Sequence, residues 1–178
     1  MDRELEILRR ETNHHSTGIY TLCFLEFEDK YLFIKRLKEP NSGLLNGLGG
    51  KVSRFESPEE NLLREVEEES GLILDEFQLK GILRFVEGDY GKDYMVFTYL
   101  ASKFHGVLKE SSPEGKLQWI PKKKINTAPM VSNIPVFLPL LEQSKAPMEI
   151  HFQYFDKKPG FNCRYFLEGK KIERNYSG

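Results

Sequence analysis

The sequence predicts an α+β fold, because apolar strand-like runs surround one well-marked helix without the regular strand and helix alternation of a doubly wound sheet. Gly18 to Phe27 and Tyr31 to Leu37 are rich in Ile, Leu, Phe and Tyr and flank a short EDK turn, which predicts a hairpin. A loop from Lys38 to Gly47 leads toward the helix. Ser57 supplies its N-cap, Pro58 suits its first position, Glu60 completes an S-x-x-E capping box and Gly71 stops it. Phe77 to Glu87 and Asp93 to Ala101 form a second strand pair around GDYGK. Leu117 to Ile120 gives a short strand and Pro135 to Gln143 a second helix. In the tail Ile150, Phe152 and Tyr154 alternate with polar residues, as do Cys163, Tyr165 and Leu167 after KKPG, so a hairpin closes the chain.

One domain over residues 17–178 accounts for this pattern, preceded by a polar extension at 1–16 in which Leu5, Ile7 and Leu8 give at most one helical turn. The 178 residues carry 26 basic and 27 acidic side chains, a formal net charge of -1, so no global field holds a nucleic-acid duplex or an anionic membrane. Any phosphate chemistry is local. MDRELEILRR is charged throughout and has no signal-peptide core, and the longest uncharged run, Ile125 to Leu141, is broken by three prolines, so neither export by signal nor a membrane span is expected. Cys23 and Cys163 fit neither a disulfide framework nor a metal spacing, which favours buried thiols in a reducing cytoplasm.

The chemistry concentrates between Gly49 and Leu72. Glu56, Glu59, Glu60, Glu65, Glu67, Glu68 and Glu69 fall within fourteen positions with only Arg64 to offset them. Glu59 and Glu60 are explained as first-turn charges on the helix dipole. Glu65, Glu68 and Glu69 are not, since their i, i+3, i+4 spacing puts three carboxylates on one face toward the helix C-terminus. Like charges at that separation cost on the order of 1 to 4 kcal/mol. A solvated acidic face is the bland alternative; a site for a hard divalent ion such as Mg²⁺, facing an anionic substrate, is the sharper one.

The spacing decides between them. From Gly50 the sequence fits G-x5-E-x7-R-E-U-x-E-E-x-G-U through Glu56, Arg64, Glu65, Val66, Glu68, Glu69, Gly71 and Leu72, and so resembles the Nudix box. The resemblance implies an α/β/α sandwich with a central mixed sheet, and a hydrolase in which water attacks a phosphorus of a nucleoside diphosphate linked to another moiety. It also implies Glu65, Glu68 and Glu69 as metal-binding carboxylates, a backbone oxygen ligand from Gly49 or Gly50, Arg64 as the residue that holds a glutamate in place, and Mg²⁺ or Mn²⁺ as the ion. Glu56 is expected to organise the loop and helix.

Within that family, NGLGGKV before the box, ESGL at its end, EGKLQWIP and a proline-containing helix followed by KAPMEIHFQY resemble the MutT-type enzymes that hydrolyse oxidised purine nucleoside triphosphates. Glu114 then matches an additional acidic residue near the metals, Asn46 a residue that contacts the purine edge, and Phe85 either stacks on the base or fills the core. Animal members carry two adjacent aspartates where this chain has Asn133 and Ile134, so Asn133 is left to hydrogen-bond the base. The expected partner is a small nucleotide, and the chain is expected to work as a monomer or homodimer. Glu87, Gly88 and Asp89 stand where the ADP-ribose group tends to carry Pro. Tyr90, eighteen residues after Leu72, keeps a dinucleoside polyphosphate hydrolase as the alternative. A non-catalytic sensor module is disfavoured because Arg64 and the three glutamates are all present.

Overall fold

The computed structural model describes residues 17–87, 93–155 and 158–177. Strands β1 (Gly18–Phe27) and β2 (Lys30–Arg36) form the expected hairpin, and β3 (Leu45–Asn46) follows as a short strand inside the segment expected to be loop. Helix α1 (Pro58–Ser70) has the capping box in full: Ser57 Oγ accepts from Glu60 N–H, and the Glu60 carboxylate accepts from Ser57 N–H. Gly71 ends it in the left-handed region at φ 76°. Then come β4 (Leu72–Glu87), β5 (Asp93–Gly106), β6 (Ser111–Ser112), β7 (Gly115–Pro121), a 3₁₀ turn at Lys122–Lys124, and α2 (Ile134–Gln143). Strands β8 (Met148–Tyr154), β9 (Gly160–Leu167) and β10 (Lys170–Ser177) close the described chain.

The strands run in the order β10-β9-β8-β4-β5-β1-β2-β7-β6, with β3 beside β2; β1 pairs parallel with β5 and β4 parallel with β8, so the sheet is mixed. The decisive irregularity lies at β1. It pairs with β5 from Gly18 to Leu25 but with β2 only at Glu26 and Phe27. Above that point β2 diverges, and residues 48–52 take its place against β1. Cys23 and Leu48 exchange both backbone hydrogen bonds, Thr21 N–H donates to Gly50 O, and Val52 N–H donates to Ile19 O. The segment just before the acidic helix is thus ordered as a strand-like strip.

Alternation along β1 divides the core. Cys23 and Leu25 face α1 with Leu62, Val66, Leu72 and Tyr99, while Phe24 faces α2 with Phe33, Leu83, Phe137 and Phe152. Helices therefore cover opposite faces of the sheet, the α/β/α arrangement the family resemblance implied.

Four expectations need correction. Strand β4 starts at Leu72 rather than Phe77, because the Gly71 cap turns the chain directly into the sheet and bulges near Glu76 and Gly81 absorb the register change. Strand β5 runs on to Gly106 to pair with that early start. The tail is three strands, since a two-residue turn at Glu168 and Gly169, both at positive φ, returns the chain as β10. Leu167 is 51% exposed at that turn, while Cys163 and Tyr165 are buried as expected. The extension at 1–16 lies outside the described residues.

Phe137 is fully buried between Phe24 and Phe152, with ring centroids 6.1 and 6.2 Å away. Phe137→Ala should cost about 3–5 kcal/mol in urea unfolding, whereas Phe55→Ala, at a side chain 92% exposed, should change stability by less than about 0.5 kcal/mol.

Candidate active site

Residues 49 and 50 meet α1 edge-on. Gly49 sits at φ 138°, and any Cβ there would collide with the Thr21 carbonyl. Its N–H donates to Glu69 Oε2 at 2.9 Å. A Cβ on Gly50 would lie 2.5 Å from Glu65 Oε1, so the second glycine is what lets that carboxylate approach the strip. Of the two candidate backbone ligands, the Gly50 carbonyl is committed to Thr21 N–H at 2.9 Å.

Asn61, which sequence reasoning did not single out, ties the strip to the helix. It is fully buried on α1, accepts from Thr21 Oγ1 at 2.6 Å, and donates to Lys51 O at 2.9 Å and to Glu56 Oε2 at 3.2 Å. Glu56 in turn receives Arg64 in a bidentate pair, Nε to Oε1 at 2.6 Å and Nη2 to Oε2 at 3.1 Å. The Arg64 guanidinium holds the Glu56 carboxyl down to about 2, with Asn61 assisting. Glu56 is thereby an organiser of loop and helix.

Arg64 also lies 3.0 Å from Glu65 and 3.1 Å from Glu68, so one guanidinium spans three carboxylates. The three glutamates differ in setting. Glu68 is turned outward with its side chain 61% exposed, Glu65 is 19% exposed beside Gly50, and Glu69 is buried. Burial pushes the Glu69 carboxyl up to about 7; Gly49 N–H opposes this, and the charges of Glu65 and Glu114 reinforce it. Glu114 sits in the turn between β6 and β7, 3.2 Å from Lys38 Nζ and 3.9 Å from Arg36 Nη2. Arg36 faces Glu69 as well, lowering its pKa. Arg36 and Lys38 were not foreseen, because nothing local to β2 marks them.

Among the described residues no three ligating side chains form a ready-made metal cage. The donor set nevertheless fits a hard cation: it is all oxygen, and its buried member, Glu69, is disfavoured as a carboxylate by burial and by neighbouring negative charge, a cost that a divalent ion removes.

On the α2 side of the sheet Phe85 stacks on Phe152 at 5.0 Å and 10°, and against Tyr154 at 6.5 Å. It packs at the margin of the α2-side core while staying partly exposed. Asn133 is buried at the start of α2 and donates from Nδ2 to Tyr154 Oη at 2.6 Å. Asn46 Oδ1 accepts from Gly47 N–H at 3.0 Å, so this amide supports the turn into the glycine strip. Leu45 beside it bonds to Pro129 O and receives Val131 N–H, which draws β3 and the approach to Asn133 together. Gly88, Asp89 and Tyr90 lie outside the described residues.

The model for the NUDIX domain matches residues 15–141. The chain belongs to the Nudix family. An uncharacterised Nudix hydrolase of Bacillus subtilis, YvcI, is 36% identical over 62% of this chain and 70% of its own length. An oxidized purine nucleoside triphosphate hydrolase of Mus musculus is 30% identical over 80% of this chain and 90% of its own length. The crystal structure of a MutT protein from Bacillus halodurans superposes with a TM-score of 0.69 at 29% identity, covering 88% of this chain and 97% of that one. These likenesses place this Nudix hydrolase in the MutT-type branch, within a family that uses divalent cations. No helix of the described residues is long and apolar enough to cross a membrane.

The raised Glu69 pKa has a definite sign. The folded value of about 7 exceeds the reference 4.5, so the contribution of Glu69 to metal-free stability is fully present below about pH 4.5 and is lost as pH rises through about 7. In EDTA, Glu69→Gln should be more stable than the parent above pH 7, by up to about 3 kcal/mol, and the difference should vanish near pH 4. Taking the difference cancels His151, whose lowered pKa acts in the opposite direction. A gap independent of pH in urea titrations would contradict the assignment.

Proposed function

We propose that this Nudix hydrolase cleaves purine nucleoside triphosphates, including oxidised ones such as 8-oxo-dGTP, to nucleoside monophosphate and pyrophosphate with Mg²⁺, or Mn²⁺ in its place. The observation that carries the reading is a contrast between two groups of side chains. One gathers Glu65, Glu69 and Glu114 beside Arg36 and Lys38, and the other gathers Phe85, Tyr154 and Asn133. Acidic groups with two cations suit a metal-bound polyphosphate, and aromatic faces with an amide suit a base. The likeness to the mouse oxidized purine nucleoside triphosphate hydrolase supports the same assignment.

Glu65, Glu68 and Glu69, with the Gly49 carbonyl, are the residues proposed to hold the cation. When bound, a divalent cation offsets phosphate charge and acidifies water. Glu69, whose charge burial disfavours in the free protein, would gain most from the cation among these ligands. Arg64 keeps Glu65 and Glu68 in register, and Arg36 and Lys38 face the phosphates with Glu114 holding them in place. Asn46 shapes the entrance to the glycine strip while its Nδ2 remains for the purine edge. With both thiols free and buried, a reducing cytoplasm remains the proposed setting.

EDTA should abolish hydrolysis and Mg²⁺ or Mn²⁺ should restore it, while Glu69→Gln should lower kcat by a factor of about 100 or more. Product analysis by anion exchange should give monophosphate and pyrophosphate. Orthophosphate with nucleoside diphosphate as first products would refute the proposed cleavage.

A further inference from the structure

We infer that the face of β4, β8 and β9 turned away from α2 carries an oxyanion site, in which Arg84, His151 and Arg164 hydrogen-bond a phosphate group. The site lies in a different part of the molecule from the acidic helix, and it does not depend on which nucleotide is cleaved there.

Strand register puts the three side chains in one row. Arg84 lies opposite His151 in the parallel pair of β4 and β8, and His151 lies opposite Arg164 in the antiparallel pair of β8 and β9. Phe85 and Phe152, the next residues along β4 and β8, belong to the α2-side core, so the row stands on the other face of the sheet. Helix α1 is on that face, but the apolar cluster it packs into includes no residue of β8, β9 or β10. Two strands, β5 and β1, separate β4 from the glycine strip.

Such a row is unfavourable by itself. Cross-strand neighbours stand about 5 Å apart, and like charges directly opposite each other destabilise a sheet. Acidic groups are near but are engaged elsewhere. Glu173 faces Arg164 across β9 and β10, yet its carboxylate accepts from Lys171 Nζ at 2.7 Å and from Asn162 Nδ2 at 3.1 Å. Among the described residues Arg164 makes no ion pair, and its Nε is closed to solvent without an acceptor. Arg84 has one carboxylate partner, Asp93, which accepts from Nη2 at 2.7 Å and leaves other guanidinium N–H groups for a further acceptor.

A guanidinium donates and never accepts, so two of them flanking one imidazole suit a ligand with several acceptor oxygens. The outer members of the row are two strand spacings apart, about 10 Å at the backbone. A tetrahedral phosphate presents oxygens in several directions and can bond to both arms, whereas a carboxylate presents two in one plane. Two guanidiniums against the single Asp93 carboxylate leave the row positive, and protonation of His151 adds to it. In the free protein burial lowers the His151 pKa, Arg164 and Arg84 add to the effect, and Asp93 opposes it. Glu149 shares the face two positions earlier on β8, and Glu173 stands one strand beyond Arg164. A bound dianion reverses the sign of the charge next to the imidazole and favours its protonated form.

Sulfate is the probe, because it stays a dianion throughout the range in which histidine titrates. Amide NMR of the metal-free protein, in EDTA at constant ionic strength, should show saturable shifts confined to the neighbourhood of Arg84, His151 and Arg164. Affinity should be about 3- to 10-fold tighter at pH 5.5 than at pH 8. His151→Gln should remove that pH dependence, and Arg164→Met, which keeps an apolar stem, should weaken binding about 5- to 20-fold. Inorganic phosphate and adenosine monophosphate should shift the same amides. Equal affinities for the two identify the free anion as the ligand, and tighter binding of the monophosphate identifies the phosphate end of a nucleotide. Shifts spread over lysines and arginines elsewhere, an affinity in the parent that does not change with pH, or an affinity unchanged by Arg164→Met would each overturn the inference.

Discussion

The candidate active site depends on how closely residues 48–51 lie between β1 and α1. Backbone hydrogen bonds to Cys23 and Thr21 hold the strip to β1, and there is no room for a β-carbon on Gly49, against the Thr21 carbonyl, or on Gly50, against the Glu65 carboxylate. Because the strip is backbone only, its Gly49 N–H reaches the buried Glu69 carboxylate and Glu65 lies flat against Gly50. Divergence of β2 from β1 makes the space, and Asn61 closes it by bonding to β1, the strip and Glu56 at once. Fold and site meet in that one seam.

Charge along α1 is arranged by the same economy of contacts. The helix carries carboxylates at its C-terminal end, where the macrodipole disfavours them. Arg64 answers two of them, Glu65 and Glu68, as well as Glu56 ahead of the helix. The helix terminus is answered from far along the chain: Lys109 Nζ donates to Glu68 O at 3.0 Å and its own N–H to Ser70 O at 2.8 Å. These contacts do not neutralise Glu69, which stays near neutrality because burial outweighs its single backbone hydrogen bond. A cation at the proposed site would remove that residual deficit.

What the sequence makes legible follows from the range of the interactions. The capping box, the Gly71 stop and the apolar side of α1 are set by residues within four positions of each other, and the structure has them as expected. The alternation of Ile150, Phe152 and Cys163 likewise marks the buried face of the tail. Strand β3 has two residues and depends on β2 for pairing, so nothing in Leu45 and Asn46 alone announces it. Strand β10 is an edge with mostly exposed side chains, and its polar sequence carries no strand period. Asn61, Lys109, Arg36 and Tyr154 act through partners that are 21 to 78 positions away or on another strand, and a residue type gives no warning of such a partner. Asn46 was legible only in part: the turn before Gly47 uses its carbonyl, which sequence alone weighed against a role on the purine.

The α2 side of the sheet obeys a different constraint from the glycine strip. There the side chains rather than the backbone set the geometry, with stacked rings from β4, β8, β9 and β10 behind a single amide. The central claim concerns the seam, and Mn²⁺ binding to Gly50→Ala tests it most directly, because the added methyl displaces the Glu65 carboxylate without requiring a left-handed backbone at that position. Calorimetric or paramagnetic titration should show affinity falling about 10- to 100-fold with the far-ultraviolet circular dichroism unchanged. Undiminished Mn²⁺ affinity in a folded Gly50→Ala protein would contradict the account.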